Sequence, residues 1–554
     1  MIHTMQSRIA FFAGMLLVAA CQPTAEDAVV QQWETYDLPL TATGTYENPY
    51  VDVEAWAVFT HEASGDTLLR PAFWDGGQQW RVRAALPLLG AWRWQTFSAP
   101  ADAGLQVQGR LDVQPYTGSH PLIRHGLLRM SPGGRNVMHA DGTPFLLVGD
   151  TPWALPFRAT TGMATTYARD RQAKGFNAAL LMTVQPDQDA RGSRERGQTG
   201  AFDVGFEDLA EGHLNQLNVA YFQYFDSLVA ILVDHGIVPV YQPVFHGFGW
   251  KGLRVLGPTA DPVEYRRYQR YLIARYGASP AFWLVSGDAH GKDPGVAPAG
   301  EETERWDAYA QPTGIHYNPF DDYQPDFMPT DRCFHQNAAY QDAAWLDFQW
   351  CQTGHDGKHL YHKVARMYDQ RPVKAVANGE PTYEGIHDPE NGADWWQGEE
   401  AWMQLMYGGT MGVVYGAGAI WQWKYSGDEP GWDTWCNSLV SWEEALTLPG
   451  SQYPGRLRQA LADYDWLDIE KHPELAEGAL CLAHPGALYV LFLPAGGTRT
   501  LTGLSDALPY RWFDPVAGTW HVGGVTEGRA FSMQAPSEAP WVLVVGQPRQ
   551  LAAG

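Results

Sequence analysis

Short apolar segments alternate with longer helix-like segments between residues 125 and 450, and this alternation constrains the fold more than any other feature. It is typical of α/β proteins, in which each helix returns the chain to the start of the next parallel strand. Eight strand-like segments, several followed by long loops, predict a (β/α)8 barrel of the TIM type. The predicted strands are residues 145–149, 176–183, 237–242, 281–286, 333–336, 373–378, 411–415 and 419–423.

Three of the connecting segments carry the pattern of a helix. They are residues 160–174, 221–235 and 262–276, and the first two are followed by Gly175 and Gly236. Glycine just after the last turn is a common helix stop. We therefore expect helices here, between the predicted strands.

The regions on both sides of the predicted barrel change to a period-two alternation of apolar and polar residues. Strand-like segments lie at 51–59, 80–83 and 90–94 within residues 30–118, and at 487–493, 509–514 and 540–545 within residues 453–550. Short strands separated by Gly and Pro turns are typical of β-sandwiches. The barrel at residues 125–450 is therefore expected to lie between an N-terminal and a C-terminal β-sandwich.

The first 21 residues predict export. Arg8 precedes an apolar run, residues 9–20, that is too short to cross a bilayer as a stable anchor. The run ends Leu17-Val18-Ala19-Ala20-Cys21, which resembles a bacterial lipoprotein signal with Cys21 as the lipidated residue. By resemblance to sorting rules, Gln22 favours the outer membrane. We expect a periplasmic or surface-facing protein that contacts the membrane only through its lipid.

The net charge of −24 argues against a nucleic acid partner and against electrostatic attachment to anionic membranes. Aromatic residues reach 13%, with 24 Trp and 26 Tyr. Exposed aromatic rings that stack on sugars are one explanation for such an excess, and packing alone is another.

Two carboxylates follow predicted strands directly after a glycine. Asp288 comes after Gly287 and the strand 281–286, and Glu380 comes after Gly379 and the strand 373–378. In a parallel barrel these strand ends meet at the face where catalysis takes place. Glycoside hydrolysis needs such a pair, one protonated to release the leaving oxygen and one ionised to attack or to activate water. The sequence leaves their separation open, and with it the choice between retention and inversion.

Other polar and aromatic residues stand at the predicted strand ends and are expected to bind substrate, although each taken singly is more often a helix cap or a core residue. They are Asp150, Trp153, Gln185, His246, His335, Tyr383, Trp421 and Trp423. Arg191, Arg194 and Arg196 lie in a loop that is suited to an anionic sugar, and a solvated loop is the simpler interpretation.

Residues 134–450 resemble the apiosidase-like glycoside hydrolases, glycoside hydrolase family 140 and its relatives. The matching motifs include Gly149-Asp150-Thr151-Pro152-Trp153, Trp283-Leu284-Val285-Ser286-Gly287-Asp288, residues 345–355 and Asn378-Gly379-Glu380-Pro381-Thr382-Tyr383-Glu384. The resemblance implies that Asp288 is the acid/base and Glu380 the nucleophile of a retaining enzyme. The N-terminal module resembles an Ig-like domain, and the C-terminal module resembles a domain catalogued as collagen-binding.

The residues and the resemblance together predict a glycosidase that hydrolyses O-glycosyl bonds. Its expected substrate is a plant or algal polysaccharide side chain or oligosaccharide, cleaved in exo fashion, and its chemistry requires no metal or organic cofactor. Two alternatives stay open: a non-catalytic glycan-binding lipoprotein, and a polysaccharide lyase that uses His and Tyr on uronic acids. The sequence does not give the sugar, the linkage or the oligomeric state.

Overall fold

A closed barrel of eight parallel strands lies between two β domains, as the alternation of strand-like and helix-like segments predicts. The computed structural model describes residues 28–189, 194–247, 254–289, 293–318, 339–430, 438–504 and 507–549. The predicted signal and Cys21 lie outside these ranges. No helix of the described ranges combines the length and the apolar character needed to span a bilayer.

The N-terminal β domain has seven strands and one short helix. The strands are β1 (Ala28–Gln31), β2 (Thr35–Thr41), β3 (Glu54–His61), β4 (Thr67–Trp74), β5 (Gln79–Ala85), β6 (Gly90–Ala99) and β7 (Gln108–Gln114), and α1 is Pro49–Asp52. They pair in the order β1-β7-β6-β3-β4-β5-β2. Strand β4 pairs with β3 on one side and β5 on the other. Leu38, Phe59 and Val82, from three different strands, share one buried core.

The chain then passes through helix α2 (Pro121–Arg124) into a small antiparallel sheet, made of β8 (Leu128–Met130), β9 (Val137–His139) and β10 (Pro144–Phe145). The side-chain amide of Asn136 donates to the carbonyl of Thr410, just before the last barrel strand begins. This small sheet therefore lies at the N-terminal end of the barrel, opposite the strand ends expected to hold the site.

The barrel strands are β11 (Leu147–Asp150), β12 (Ala178–Met182), β13 (Val238–Gln242), β14 (Phe282–Leu284), β15 (Thr313–His316), β16 (Phe348–Gln352), β17 (Ala375–Glu380) and β18 (Gly412–Val414). Each strand pairs in parallel with the next, and β18 closes on β11. Every residue of these strands is buried, because helices cover the outside while side chains fill the inside.

Six of the eight barrel strands overlap a predicted segment, and two were not predicted. Strand β15 contains Thr313 and Gly314, so it lacks the apolar run that marks a buried strand. Strand β16 has glutamines at Gln349 and Gln352 and also lacks such a run. The predicted strand 333–336 lies outside the described residues.

The predicted strand 419–423 is wrong, because this segment forms helix α10 (Gly418–Gln422). The amide of Trp421 donates to the carbonyl of Ala417, four residues earlier, as in a helical turn. A short apolar run fits a buried helix as well as a strand, and here tertiary packing selects the helix.

The other helices of this region surround the barrel or follow its strands. They are α3 (Leu155–Arg158), α4 (Thr161–Ala173), α5 (Val219–Asp234), α6 (Pro262–Tyr276), α7 (Val296–Trp306), α8 (His362–Asp369), α9 (Trp395–Met406) and α11 (Trp442–Ala445). The three predicted helices are α4, α5 and α6, with ends within two residues of the prediction. Short 3-10 helices lie at Leu209–Glu211, Gly257–Thr259, Pro449–Gln452 and Pro473–Ala476.

The C-terminal β domain follows helix α12 (Gly455–Leu461). Its strands are β19 (Glu470–Lys471), β20 (Leu480–His484), β21 (Leu488–Leu493), β22 (Thr498–Thr502), β23 (Pro509–Asp514), β24 (Thr519–Val525), β25 (Ala530–Gln534) and β26 (Trp541–Gly546). Six of them form one sheet, and β22 pairs with β25. Leu491 of the sheet and Leu501 and Met533 of the pair share one buried core.

Ion pairs and hydrogen bonds fix both β domains to the barrel. Arg83 of β5 lies 2.8 Å from Asp226 of α5, and Arg275 of α6 lies 2.7 Å from the same carboxylate. On the other side, Asp468 accepts hydrogen bonds from the Ser131 hydroxyl (2.5 Å) and the Gly133 amide (2.9 Å). The domains therefore contact the helical layer and the N-terminal end of the barrel.

Candidate active site

Asp288 and Glu380 lie together at the C-terminal end of the barrel. Glu380 is the last residue of β17, the seventh barrel strand, and Asp288 follows β14, the fourth. One carboxylate oxygen of each lies within 4.8 Å of the other. Their exposed fractions are only 2% and 3%. The structure thus brings the two carboxylates that the sequence singled out into one buried site.

The backbone next to each carboxylate is closely constrained. Asp288 has a φ of 48°, in the left-handed region that residues other than glycine seldom adopt. Strain of this kind concentrates at functional sites. A Cβ on residue 379 would lie 1.7 Å from Nε1 of Trp350, so only glycine fits immediately before Glu380.

Two histidines bind the carboxylate of Glu380. Nε2 of His316 lies 3.0 Å from Oε2 and Nε2 of His355 lies 3.1 Å from Oε1. Burial by itself raises the pKa of Glu380, but the hydrogen bonds from His316 and His355 outweigh it and hold that pKa well below its usual value. Glu380 is therefore ionised at neutral pH, as a nucleophile or general base must be.

His316 also contacts Asp288 and is itself held by a glutamine. Its Nε2 lies 3.6 Å from Oδ1 of Asp288, and its Nδ1 lies 2.7 Å from Oε1 of Gln242. The Gln242 amide nitrogen donates to the sulfur of Met182, which assigns the orientation of the amide. Gln242 therefore orients the ring of His316 so that Nε2 is directed at the two carboxylates.

Three aromatic rings form a wall beside these groups. The ring of Tyr383 lies 4.4 Å from that of His355 and 5.9 Å from that of Trp421. Trp153 lies 5.9 Å from Trp421 and 6.0 Å from His316. Burial, and then the charge of Glu380, raises the pKa of Tyr383 well above its usual value, so its hydroxyl stays protonated and can donate a hydrogen bond.

Gln185 and His246 are buried after the second and third barrel strands. Within the described ranges, neither side-chain amide atom of Gln185 has a hydrogen-bond partner. Buried amides are nearly always satisfied, so a ligand or water is needed here. The ring of His246 lies 5.9 Å from that of Tyr265, and burial lowers its pKa, which keeps it neutral. His335 lies outside the described residues.

Asp150 and Trp423, both expected to bind substrate, point elsewhere, which corrects that expectation. Oδ2 of Asp150 accepts from Arg171 at 2.5 Å and from Tyr167 at 3.0 Å, so this carboxylate faces helix α4. The ring of Trp423 stacks on Trp442 at 4.7 Å and 6°. These contacts make them packing residues between the barrel and its helices.

Sequence reasoning did not single out His316, His355 or Gln242. His355 falls within the matching motif 345–355, which was its only signal. His316 is the last residue of a strand with a single large apolar residue, Ile315. Gln242 is the last residue of a predicted apolar strand, and nothing in that strand marks it as a site residue. These three groups come together only through the closed barrel.

The arginines of the loop before residue 197 have internal partners where the structure describes them. Arg194 lies 2.7 Å from Glu207, and Arg196 lies 3.2 Å from Asp203. Arg191 is outside the described residues. The described part of this loop therefore gives no support to an anionic sugar.

Comparison with known proteins shows the family and the fold of this chain. Residues 131–468 match the family model described as apiosidase-like, catalytic domain, and residues 29–99 match that of a domain of unknown function, DUF5060. No curated protein matches the chain.

Solved structures give the same fold. One described as a glycoside hydrolase is 19% identical, with a TM-score of 0.63 over 77% of this chain and 98% of its own. A glycoside hydrolase family 5 protein from Bacteroides vulgatus is 18% identical, with a TM-score of 0.63 over 77% of this chain and 95% of its own. A candidate glycoside hydrolase from the same species is 18% identical, with a TM-score of 0.69 over 94% of this chain and 99% of its own. Identities this low show the fold alone.

Proposed function

Because the chain belongs to the family of apiosidase-like catalytic domains, we propose that it is a retaining glycoside hydrolase with Asp288 as acid/base and Glu380 as nucleophile. The observation that carries this proposal is the approach of the two carboxylates, with oxygens within 4.8 Å. Retaining enzymes hold their carboxyl groups about 5–5.5 Å apart, whereas inverting enzymes need about 6.5–9.5 Å to admit a water.

In the first step, Asp288 gives its proton to the glycosidic oxygen as the bond to the anomeric carbon breaks. The ionised Glu380 attacks that carbon and forms the glycosyl-enzyme. The histidines support this role, because they hold Glu380 in its ionised form and fix its orientation. In the second step, Asp288 takes a proton from water, whose oxygen displaces Glu380 and restores the free enzyme.

The surroundings support exo action on a terminal sugar. Trp153, Trp421 and Tyr383 form an aromatic wall beside two carboxylates that are only 2% and 3% exposed. Carboxylates this deeply buried suit the end of a sugar chain better than its middle. We propose a plant or algal polysaccharide side chain or oligosaccharide as substrate, with Gln185 hydrogen-bonded to a sugar hydroxyl.

A reducing-sugar screen tests this function. The chain without its first 21 residues is incubated with pectic, hemicellulosic and marine glycan fragments, beside Glu380→Gln and the surface variant Glu301→Gln. Glu301 has a side chain that is 66% exposed, which makes it a matched control. Sugar release by the wild type and the control, but not by Glu380→Gln, supports the proposal. Release by Glu380→Gln at the wild-type rate contradicts it, and an unsaturated product that absorbs in the ultraviolet indicates a lyase.

We also propose that the mature protein is a lipoprotein of the bacterial outer membrane, anchored at Cys21. The support is the sequence Leu17-Val18-Ala19-Ala20-Cys21 after a short apolar run. The wild-type chain should partition with membranes and carry the mass of a lipid, whereas Cys21→Ser should lose both. A lipid-free wild-type protein would contradict the anchor.

A further inference from the structure

Three ligand atoms converge at the candidate active site in the arrangement of a metal centre. A carboxylate oxygen of Asp288, a carboxylate oxygen of Glu380 and Nε2 of His316 all lie within 4.8 Å of one another. The nitrogen is 3.0 Å from Glu380 and 3.6 Å from Asp288. Ligands that sit about 2.0–2.2 Å from a tetrahedral zinc ion are about 3.3–3.6 Å apart. The two distances from the nitrogen of His316 are therefore close to those around such an ion.

The hydrogen bonds that orient these ligands also resemble those of a metal centre. A ligating imidazole usually donates its other N–H to an oxygen, and ligating carboxylates are themselves hydrogen-bonded. Here Nδ1 of His316 lies 2.7 Å from Oε1 of Gln242. The oxygen of Glu380 that faces away from His316 lies 3.1 Å from His355. His316 is thus held with Nε2 directed at the two carboxylates.

Charge and burial favour a divalent cation at this point. A bound cation would displace the proton that Asp288 carries as the acid. The two carboxylates are 2% and 3% exposed and His316 is fully buried, so water would then screen their negative charge poorly. One nitrogen and two carboxylate oxygens leave a fourth position open, as at zinc sites with three protein ligands. Magnesium is disfavoured because it prefers an octahedron of oxygens and retains its waters.

We propose that Asp288, His316 and Glu380 bind one Zn²⁺ ion, and that this ion is a reversible inhibitor that competes with substrate. The ion occupies the space between acid/base and nucleophile and uses the oxygens that both need for hydrolysis. The competition, though not the binding of the ion, rests on the proposed function.

Direct binding is measured first, by calorimetric titration of ZnCl₂ into the full chain, purified in detergent without an affinity tag. One ion per chain is expected for the wild type, and none with MgCl₂. Losing a hydrogen bond that supports a metal ligand weakens metal binding about 10–100-fold. Changing a ligand itself should cost more, so His316→Gln and Asp288→Asn should each weaken zinc binding at least about 100-fold. His213→Gln is the control, because His213 forms a comparable pair with Glu264 (3.1 Å) on the surface.

Equal zinc affinity in the wild type, His316→Gln and Asp288→Asn would overturn the proposal, as would a wild type that binds no zinc. Circular dichroism checks that each variant is folded. If His316→Gln does not fold, Asp288→Asn decides, since it preserves the shape of the side chain.

The competition is tested on the substrate found in the glycan screen. Zinc should raise the apparent KM and leave kcat unchanged. Zinc binding without any hydrolysis would reject the glycosidase and keep the metal site, whereas hydrolysis without zinc binding would reject the metal site alone. The two proposals therefore fail in distinguishable ways.

Discussion

Replacing His355 by leucine should move the pH at which activity is lost. The bond from Nε2 of His355 to Glu380 is 3.1 Å long and buried. A hydrogen bond to a charged group contributes about 1.5–3 kcal/mol, and one pKa unit corresponds to about 1.4 kcal/mol. The pKa of Glu380, which this bond helps to hold low, should therefore rise by about 1–2 units in His355→Leu.

The assay is the pH dependence of kcat/KM, which reports ionisations of the free enzyme. Because hydrolysis needs ionised Glu380, activity is lost as the pH falls through its pKa, and the acid limb should shift upward by about 1–2 pH units. His355→Gln keeps a donor and should shift it less. His359→Leu is the control, because His359 pairs with a different carboxylate, that of Glu400, at 2.5 Å. A uniform loss of activity with an unmoved acid limb would refute the role given to His355.

Three further predictions follow from single contacts. Asp150→Ala removes one of the two carboxylates that lie 2.5 Å from buried Arg171 and leaves only Asp170, so it should lower the free energy of unfolding in urea, by at most about 3–5 kcal/mol. Unchanged stability with weakened substrate binding would instead place Asp150 in the site. Burial raises the pKa of Asp347 from 3.8 to about 7. Between these pH values the native state keeps a proton that the unfolded chain loses. The free energy of unfolding therefore falls as the pH rises through this range. Asp347→Asn should therefore stabilise the protein at pH 8, by at most about 4 kcal/mol, and have little effect below pH 4; a less stable variant at pH 8 contradicts this. Gly379→Ala puts a Cβ 1.7 Å from Trp350 Nε1 and should cost about 1–3 kcal/mol of stability and most turnover, whereas wild-type turnover would show that Glu380 does not depend on this close approach.

The barrel could be predicted because its signal is periodic. Most strands are short apolar runs, such as Ala178–Met182, and the helices between them carry their own end signals. Strand Thr313–His316 could not be predicted, because the neighbouring strands bury it regardless of its own sequence. The segment Gly418–Gln422 is short and fully buried. A buried helix and a buried strand are equally apolar, so its composition does not decide between them.

The position of Asp288 and Glu380 at one end of the barrel could be predicted because each carboxylate directly follows a strand and a glycine. The orientation of Asp150 could not, since barrel strands are buried on both faces and no polar face shows which residue points inward. Its neighbour Thr151 instead lies near Tyr383, since a Cβ on Gly416 would come within 2.1 Å of Tyr383 and 2.7 Å of the Thr151 hydroxyl. Only the closed barrel shows that Asp150 faces helix α4.

The histidines around Glu380 depend on long-range geometry. His316 lies 64 positions before Glu380 and on the strand two places away in the barrel, so no local pattern links them. The pKa of Glu380 is likewise a property of the assembled site, because burial and the histidine hydrogen bonds oppose each other.

The stereochemistry of hydrolysis tests the central claim most directly. The substrate identified in the glycan screen is digested in an NMR tube, and the anomeric configuration of the released sugar is followed before it mutarotates. The close approach of Asp288 and Glu380, with oxygens within 4.8 Å, predicts that the first product has the configuration of the substrate. A first product of inverted configuration would mean that water attacks directly, and would contradict Glu380 as the nucleophile.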